Sequence, residues 1–276
     1  MSEQEEGNVV PDPVPELAST REFWDANPCG VHAGYEAQVQ QRYAMEPYLP
    51  ALLRRIGAAH ANILEIGCGQ GVDSTLLCAA MPAGGSYIGI DYSPASVDVA
   101  RRNADYVDGT LTVTPEYRVG NAEHLDFDDN HFDAVYSMGV LHHTANDLKA
   151  INEALRVLKP GGKAYIFLYR RPSLKVGVAK MLRALQAGLD MLLGTDRCIY
   201  GWLKRQGTHS RLFGTMFHEC FGVPHMKWYN RQEIESAFQG YSRIETESYG
   251  PNFGRLYRCG DDPNPFGFFW VVEATK

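Results

Sequence analysis

From Ala61 onward, short apolar runs alternate with amphipathic stretches. Ile63, Leu64 and Ile66 form a β-branched run that reads as a buried strand, and Val72 to Met81 reads as a helix stopped by Pro82. Tyr87 to Ile90 is a second apolar run. Ser93 as N-cap with Pro94 at the first helical position then opens a helix reaching about Ala104. Thr112 to Val119 and Phe132 to Ser137 read as the third and fourth strands. Leu148, Ile151, Leu155 and Leu158 recur at spacings of three and four, which predicts an amphipathic helix. Lys159-Pro160-Gly161-Gly162 ends it, and Ala164 to Tyr169 is the fifth strand. Strands and helices alternating at this pace predict a parallel sheet with right-handed crossovers.

The pattern changes on either side of this block. Residues 1–20 are acidic and rich in proline (Pro11, Pro13, Pro15) and are expected to form a mobile tail. Residues 21–58 are expected to form a helical cover: Phe23 and Trp24 come first, then Val39, Tyr43, Met45, Tyr48, Leu49, Leu52 and Leu53 at helical spacing, interrupted at Pro47 and Pro50. The main domain is expected over 59–276. Within it, Arg170 to Tyr229 contains no convincing strand. Leu174, Val178, Leu182, Leu185, Leu189 and Leu192 form one helical stripe there, with Lys175, Lys180 and Arg183 largely off it. Asn230 to Glu233 has the form of a capping box, and Ser242 to Ser248 and Phe266 to Glu273 read as the last two strands. The fold expected is α/β, a Rossmann-like, doubly wound, seven-stranded and mostly parallel sheet, with a helical insertion at 170–229 between strands five and six.

Composition narrows the function classes. The 276 residues are 45% hydrophobic and 21% charged, with a formal net charge of −7. That balance argues against nonspecific binding to a nucleic-acid backbone, which needs a basic face. The six cysteines show no C-x-x-C spacing, and no secretory signal is evident. Reduced thiols and a cytoplasmic location are expected. No apolar run approaches the ~18 residues that span a bilayer, so stable membrane insertion is not expected. The stripe at Leu174–Leu193 suits a lid, a core or a homodimer surface, with its basic opposite face leaving a membrane-surface role as the minor alternative.

The chemistry concentrates in the first strand–turn–helix. Glycines stand at alternate positions, Gly67, Gly69 and Gly71, where they let a backbone approach a ligand facing the next helix N-terminus. Twenty residues on, Asp91 ends the second apolar run, where an acid can accept from ribose hydroxyls. A dinucleotide fold wants G-x-G-x-x-G; the position its third glycine would occupy is Val72. That weighs against an NAD-dependent oxidoreductase.

With Glu65 inside the strand, E-x-G-x-G-x-G resembles motif I of the class I S-adenosylmethionine (SAM) dependent methyltransferases. LEIGCGQG, GIDYSP, GNAEHLDFDDNHFDAVYS and LRVLKPGG resemble four consecutive motifs of that family, in the flavour of the ubiquinone/menaquinone-biosynthesis-like subgroup. The resemblance covers roughly Ala61 to Leu168 and the final strands. It implies SAM as cofactor, with Gly67, Cys68, Gly69 and Gly71 forming the loop under the methionine and Glu65 beneath that loop. It further implies Asp91 on the ribose, Tyr92 along the adenine, Asn121 and Ala122 at the adenine edge, and Ser137 and Met138 on the far side of the methionine. Many relatives have Asp at the position of Asn121.

Methyl transfer to a small-molecule acceptor is the leading expectation; a non-catalytic SAM-binding protein is the alternative. His142 and His143 follow the fourth strand, where side chains reach the cleft, and either is a candidate base if the acceptor is a hydroxyl. Packing beneath the next helix is the other reading of the pair. Trp24, Tyr35, Tyr43, His218 and Trp228 are the candidate acceptor contacts, one mobile cover being expected from Phe23–Tyr43 and the insertion. No metal is expected: His218, Glu219, Cys220 and His225 match no standard ligand spacing.

Overall fold

The computed structural model describes residues 15–27, 34–107, 109–205, 220–250 and 267–276. Seven strands form one sheet: β1 (Asn62–Ile66), β2 (Ser86–Asp91), β3 (Glu116–Val119), β4 (Phe132–Met138), β5 (Leu158–Tyr169), β6 (Arg243–Tyr249) and β7 (Phe269–Thr275). Their order is β3-β2-β1-β4-β5-β7-β6, and β7 alone runs against the direction of the other six. The central strands carry the continuous apolar runs because helices cover both their faces. Leu64, Val135 and Ile166 are wholly buried, whereas the edge strands β3 and β6 alternate with solvent.

Helices α1 (Pro15–Ala26), α2 (Tyr35–Met45) and α3 (Leu49–Ala59) precede β1. The region expected to be a tail is therefore helical from Pro15, and Thr20 is buried. The break between α2 and α3 falls at Pro47, but Pro50 interrupts nothing: it lies in the first turn of α3, where its missing N–H has no intrahelical partner to lose. Helices α4 (Val72–Ala80) and α5 (Pro94–Val107) follow β1 and β2; α6 (Asp147–Val157) precedes β5. Between β5 and β6 lie α7 (Leu174–Leu193), α8 (Cys198–Arg205) and α9 (Arg231–Ala237).

The cores on the two faces divide by strand parity. Ile63, Tyr87, Tyr136 and Phe167 pack with Leu53, Ile56 and Leu77 on one face. Leu64, Ile66, Val135 and Ile166 pack with Ile151, Ala154, Ile234 and Phe238 on the other. Local signals are satisfied as read. Ser96 N–H donates to Ser93 Oγ at 3.2 Å, and Asn230 and Glu233 close a reciprocal capping box.

The starts of β3 and β5 differ from the sequence expectation for identifiable reasons. Thr112 and Val113 do not pair in β3, because the Thr112 hydroxyl donates to Ala79 O and Val113 N–H to Cys78 O, at the end of α4. Conversely, β5 begins at Leu158 and includes the Lys159–Gly162 stretch. A register shift opposite Phe132–Ala134 and a positive φ of 78° at Gly161 absorb it.

Candidate functional site at the carboxyl edge of the sheet

The strand order reverses beside β1, which has β2 on one flank and β4 on the other. In an open α/β sheet that is where a crevice forms outside the carboxyl ends. The three glycines of the turn leaving β1 all have positive φ: 80°, 52° and 73°. Their surroundings differ. A Cβ on Gly67 would lie 2.1 Å from Val140 Cγ2, and one on Gly71 2.6 Å from the Tyr117 hydroxyl. A Cβ on Gly69 would meet nothing within 4 Å. Gly67 and Gly71 are demanded by packing, and Gly71 is turned inward; Gly69 alone faces open space.

Asp91 ties the loop to the second strand. One carboxylate oxygen accepts from Gly69 N–H at 2.8 Å and the other from Ser93 N–H at 2.9 Å. Burial raises its carboxyl above the ordinary value, opposed by these two N–H donors. Each oxygen retains acceptor capacity. Glu65 is buried below the loop and accepts from the Tyr87 hydroxyl. Burial, with Asp73 nearby, pushes its carboxyl up to about 8 against the pull of Tyr87 and Arg42. In the same loop Gln70 Nε2 is a buried donor with no acceptor among the described residues.

Past β3, Asn121 Oδ1 accepts from Glu123 N–H at 2.9 Å, and Ala122 is 8% exposed beside it. Past β2, Arg21 of α1 lies 5.8 Å from the Tyr92 ring centre. Met138 is half-buried at the end of β4, whereas Ser137 does not line the crevice. The Ser137 side chain is wholly buried and donates to Ile66 O at 2.9 Å, joining the tips of β1 and β4. The Cys68 side chain is also inward, 5% exposed, so only its backbone is available on the loop.

The two histidines sit in a short 3-10 turn, Leu141–His143. His142 is wholly buried, with its ring centre 3.8 Å from that of Tyr169. That position packs the His142 ring within the turn, and His143 beside it is 5% exposed. His143 Nδ1 lies 2.9 Å from the His225 carbonyl. A carbonyl only accepts, so Nδ1 carries the hydrogen and, in the neutral ring, Nε2 the lone pair. The Trp24 ring stands edge-on to His143 at 5.6 Å.

Of the candidate acceptor contacts, Tyr35 and Tyr43 spend their hydroxyls on α4. Tyr35 donates to Thr75 Oγ1 at 2.8 Å and Tyr43 to Val72 O at 3.3 Å. Trp228 packs at the rim of the core and has Lys180 Nζ 4.4 Å above its ring. His218 lies outside the described residues, as do Glu219, Cys29 and Cys259. Cys220 is buried, and among the described residues no cluster of His, Cys, Asp or Glu has the makings of a metal site.

The structure also shows contacts that the sequence reading did not find. Arg42 of α2 forks onto Asp73 at 3.1 and 2.7 Å and reaches Met138 Sδ at 3.0 Å; Tyr136 donates to the same carboxylate at 2.8 Å. Burial would lower the Arg42 guanidinium, but Asp73 holds it well above its ordinary value. Asp25 of α1 accepts from Ser93 Oγ at 2.6 Å. An acid two residues past Gly71 was a visible sign at Asp73; nothing local marked Arg42 or Asp25.

A family model described as a methyltransferase domain matches residues 64–166. A demethylmenaquinone methyltransferase from Symbiobacterium thermophilum is 39% identical over 103 residues, 37% of this chain and 40% of that protein. A ubiquinone biosynthesis O-methyltransferase from Xanthomonas oryzae pv. oryzae is 31% identical over 231 residues, 79% of this chain and 86% of that protein. The chain belongs to the class I SAM-dependent methyltransferases. Its fold matches a SAM-dependent methyltransferase from Thermotoga maritima, described as a possible histamine N-methyltransferase. The TM-score is 0.58 at 14% identity, covering 93% of this chain and 99% of the other. The chain spans 40% to 57% of the length of the first curated relatives it matches.

The cofactor of this family is SAM, and the residues present fit it. Gly69 leaves room above the loop, Asp91 offers acceptors beside it, and the buried amide of Gln70 awaits a partner.

Proposed function

We propose that the chain transfers the methyl group of SAM to a ring hydroxyl of an apolar small molecule held between the sheet edge and helices α1 and α2. The observation that carries this reading is the Gly69–Asp91–Ser93 arrangement at the carboxyl edge of the sheet, together with a band of touching rings, Trp24, His143, Tyr169 and Phe268, the last three of them buried. Such a band suits an apolar acceptor with few polar fixing points.

SAM supplies a sulfonium-activated methyl group. The chain's own residues position and deprotonate. The backbone of Gly67 to Gly69 would hold the methionine portion, with Met138 on its far side. Asp91 would accept from the ribose, Tyr92 would lie along the adenine once Arg21 moves aside, and Asn121 and Ala122 would meet the adenine edge. His143 would take the hydroxyl proton on Nε2, its ring fixed by the His225 carbonyl. Helices α1 and α2 would exclude water and hold the acceptor in line with the methyl group, a proximity effect worth up to ~7–11 kcal/mol. The relatives named for ubiquinone and menaquinone biosynthesis support an acceptor of this ring-bearing kind.

Titration calorimetry with S-adenosylhomocysteine tests the cofactor half. Asp91→Ala should lose up to two charged hydrogen bonds, ~1.5–3 kcal/mol each. No measurable binding by the native chain, or equal binding by the variant, overturns the assignment. For the base, His143→Gln should remove the acidic limb of the pH–rate profile while leaving S-adenosylhomocysteine affinity unchanged.

A further inference from the structure

Helix α7 carries an apolar pattern that the cleft does not use. At 3.6 residues per turn, Gly177, Met181, Ala184, Leu185, Gly188, Met191 and Leu192 fall within one arc of about 120°. No charged residue belongs to that arc. Met181 is 63% exposed, Leu185 54%, Met191 82% and Leu192 77%. A Cβ at Gly177 or Gly188 would meet nothing within 4 Å. Leu193 and, on α8, Trp202 are exposed as well. The opposite side of α7 is anchored: Val176 and Ala179 are buried, Arg183 donates to Val223 O at 2.9 Å, and Gln186 Nε2 to Phe221 O at 2.8 Å. The bare arc therefore belongs to a helix whose other face is already packed.

Charge reverses over the same segment. Residues 171–205 hold seven lysines and arginines against two aspartates, a net of +5 in a chain of net −7. The remaining residues therefore sum to −12. Lys180 borders the arc, and Arg205 at the end of α8 is exposed.

We propose that the exposed face of α7, with the end of α8, docks the chain onto an anionic lipid surface. The α7 axis lies in the plane of that surface, and Met181, Leu185, Met191 and Leu192 enter the headgroup–acyl boundary. An apolar arc in a basic segment is the combination that binds there, and no described helix is long and apolar enough to cross the bilayer instead. The sign of the charge selects the partner. An anionic leaflet attracts the exposed Lys180 and Arg205 that border this face, whereas a second copy would bring like charges together. Helix α7 follows directly from the carboxyl end of β5, so a docked chain would open its cleft beside the lipid. The docking itself is independent of which acceptor is methylated.

Vesicle flotation with the full chain tests this. Vesicles of phosphatidylcholine containing phosphatidylglycerol should carry the chain up with them, and phosphatidylcholine alone should do so far less. Leu185→Glu with Leu192→Glu should weaken binding to the mixed vesicles by at least about tenfold, and raised salt should weaken it further. These positions are solvent-facing, and unchanged S-adenosylhomocysteine affinity would show that the variant is folded. No flotation on mixed vesicles, or equal flotation of native chain and variant, overturns the proposal. So does a lipid-free native dimer that the double substitution splits into monomers, because the face would then be a subunit interface.

Discussion

Three glycines that look equivalent in the sequence are held for different reasons. Gly67→Ala combines a φ of 80° with a contact 2.1 Å from Val140. Left-handed strain and overpacking of ~1–3 kcal/mol each should lower the denaturation midpoint clearly. Gly69→Ala has the left-handed strain of its φ of 52° but no clash, so it should cost less stability than Gly67→Ala and also weaken S-adenosylhomocysteine binding, as its methyl group enters the cleft. Denaturation and calorimetry on both variants separate the two. Glu65 gives a pH prediction. Its folded carboxyl titrates near 8, above the ordinary ~4.3, so the folded state binds the extra proton between those values. Stability should fall as pH rises through that window, by at most ~1.4 kcal/mol per unit. Melting temperatures of Glu65→Gln should show a weaker decline over the same range; parallel curves would refute it.

At the scale of elements, α2 is fastened to the first turn of α4 and to the end of β4 by Arg42, Tyr35 and Tyr43. Asp73 is only 5% exposed, so Arg42→Ala strands a buried carboxylate. The expected cost is ~3–5 kcal/mol in urea unfolding. Arg42→Ala and Asp73→Asn should couple by ~0.5–3 kcal/mol in a double-mutant cycle, whereas additive losses would mean that the pair does not act as one unit. The helices themselves were legible in the sequence because proline positions and periodicity are local. The fork was not, because Arg42 and Asp73 lie thirty-one positions apart, with α3 and β1 between them.

For the whole molecule, α1 crosses the carboxyl edge from Ser93 to His143 and Tyr200. A truncation at residue 20, inside α1, removes buried Thr20 and should already impair turnover. A cut after Tyr43 should abolish it by removing Arg42 and Trp24 as well. Under the proposed function α1 and α2 act as a cover, so hydrogen exchange in both should slow when S-adenosylhomocysteine is added. Unchanged exchange would refute a closing role.

The resemblance of its motifs to a family implied the class of cofactor; the sequence alone determined the alternating strands and helices, the glycine turn and Asp91 at the end of β2. Each is written in spacing, φ requirements or capping, which act over a few residues. Only the tertiary structure decided that the Ser137 and His142 side chains are buried and that His143 Nδ1 meets the His225 carbonyl. It also decided that Arg42 and Asp25 reach the carboxyl edge of the sheet. Those outcomes depend on which face of a strand or turn a distant helix covers, and burial of that kind is set by contacts across the sheet rather than along the chain.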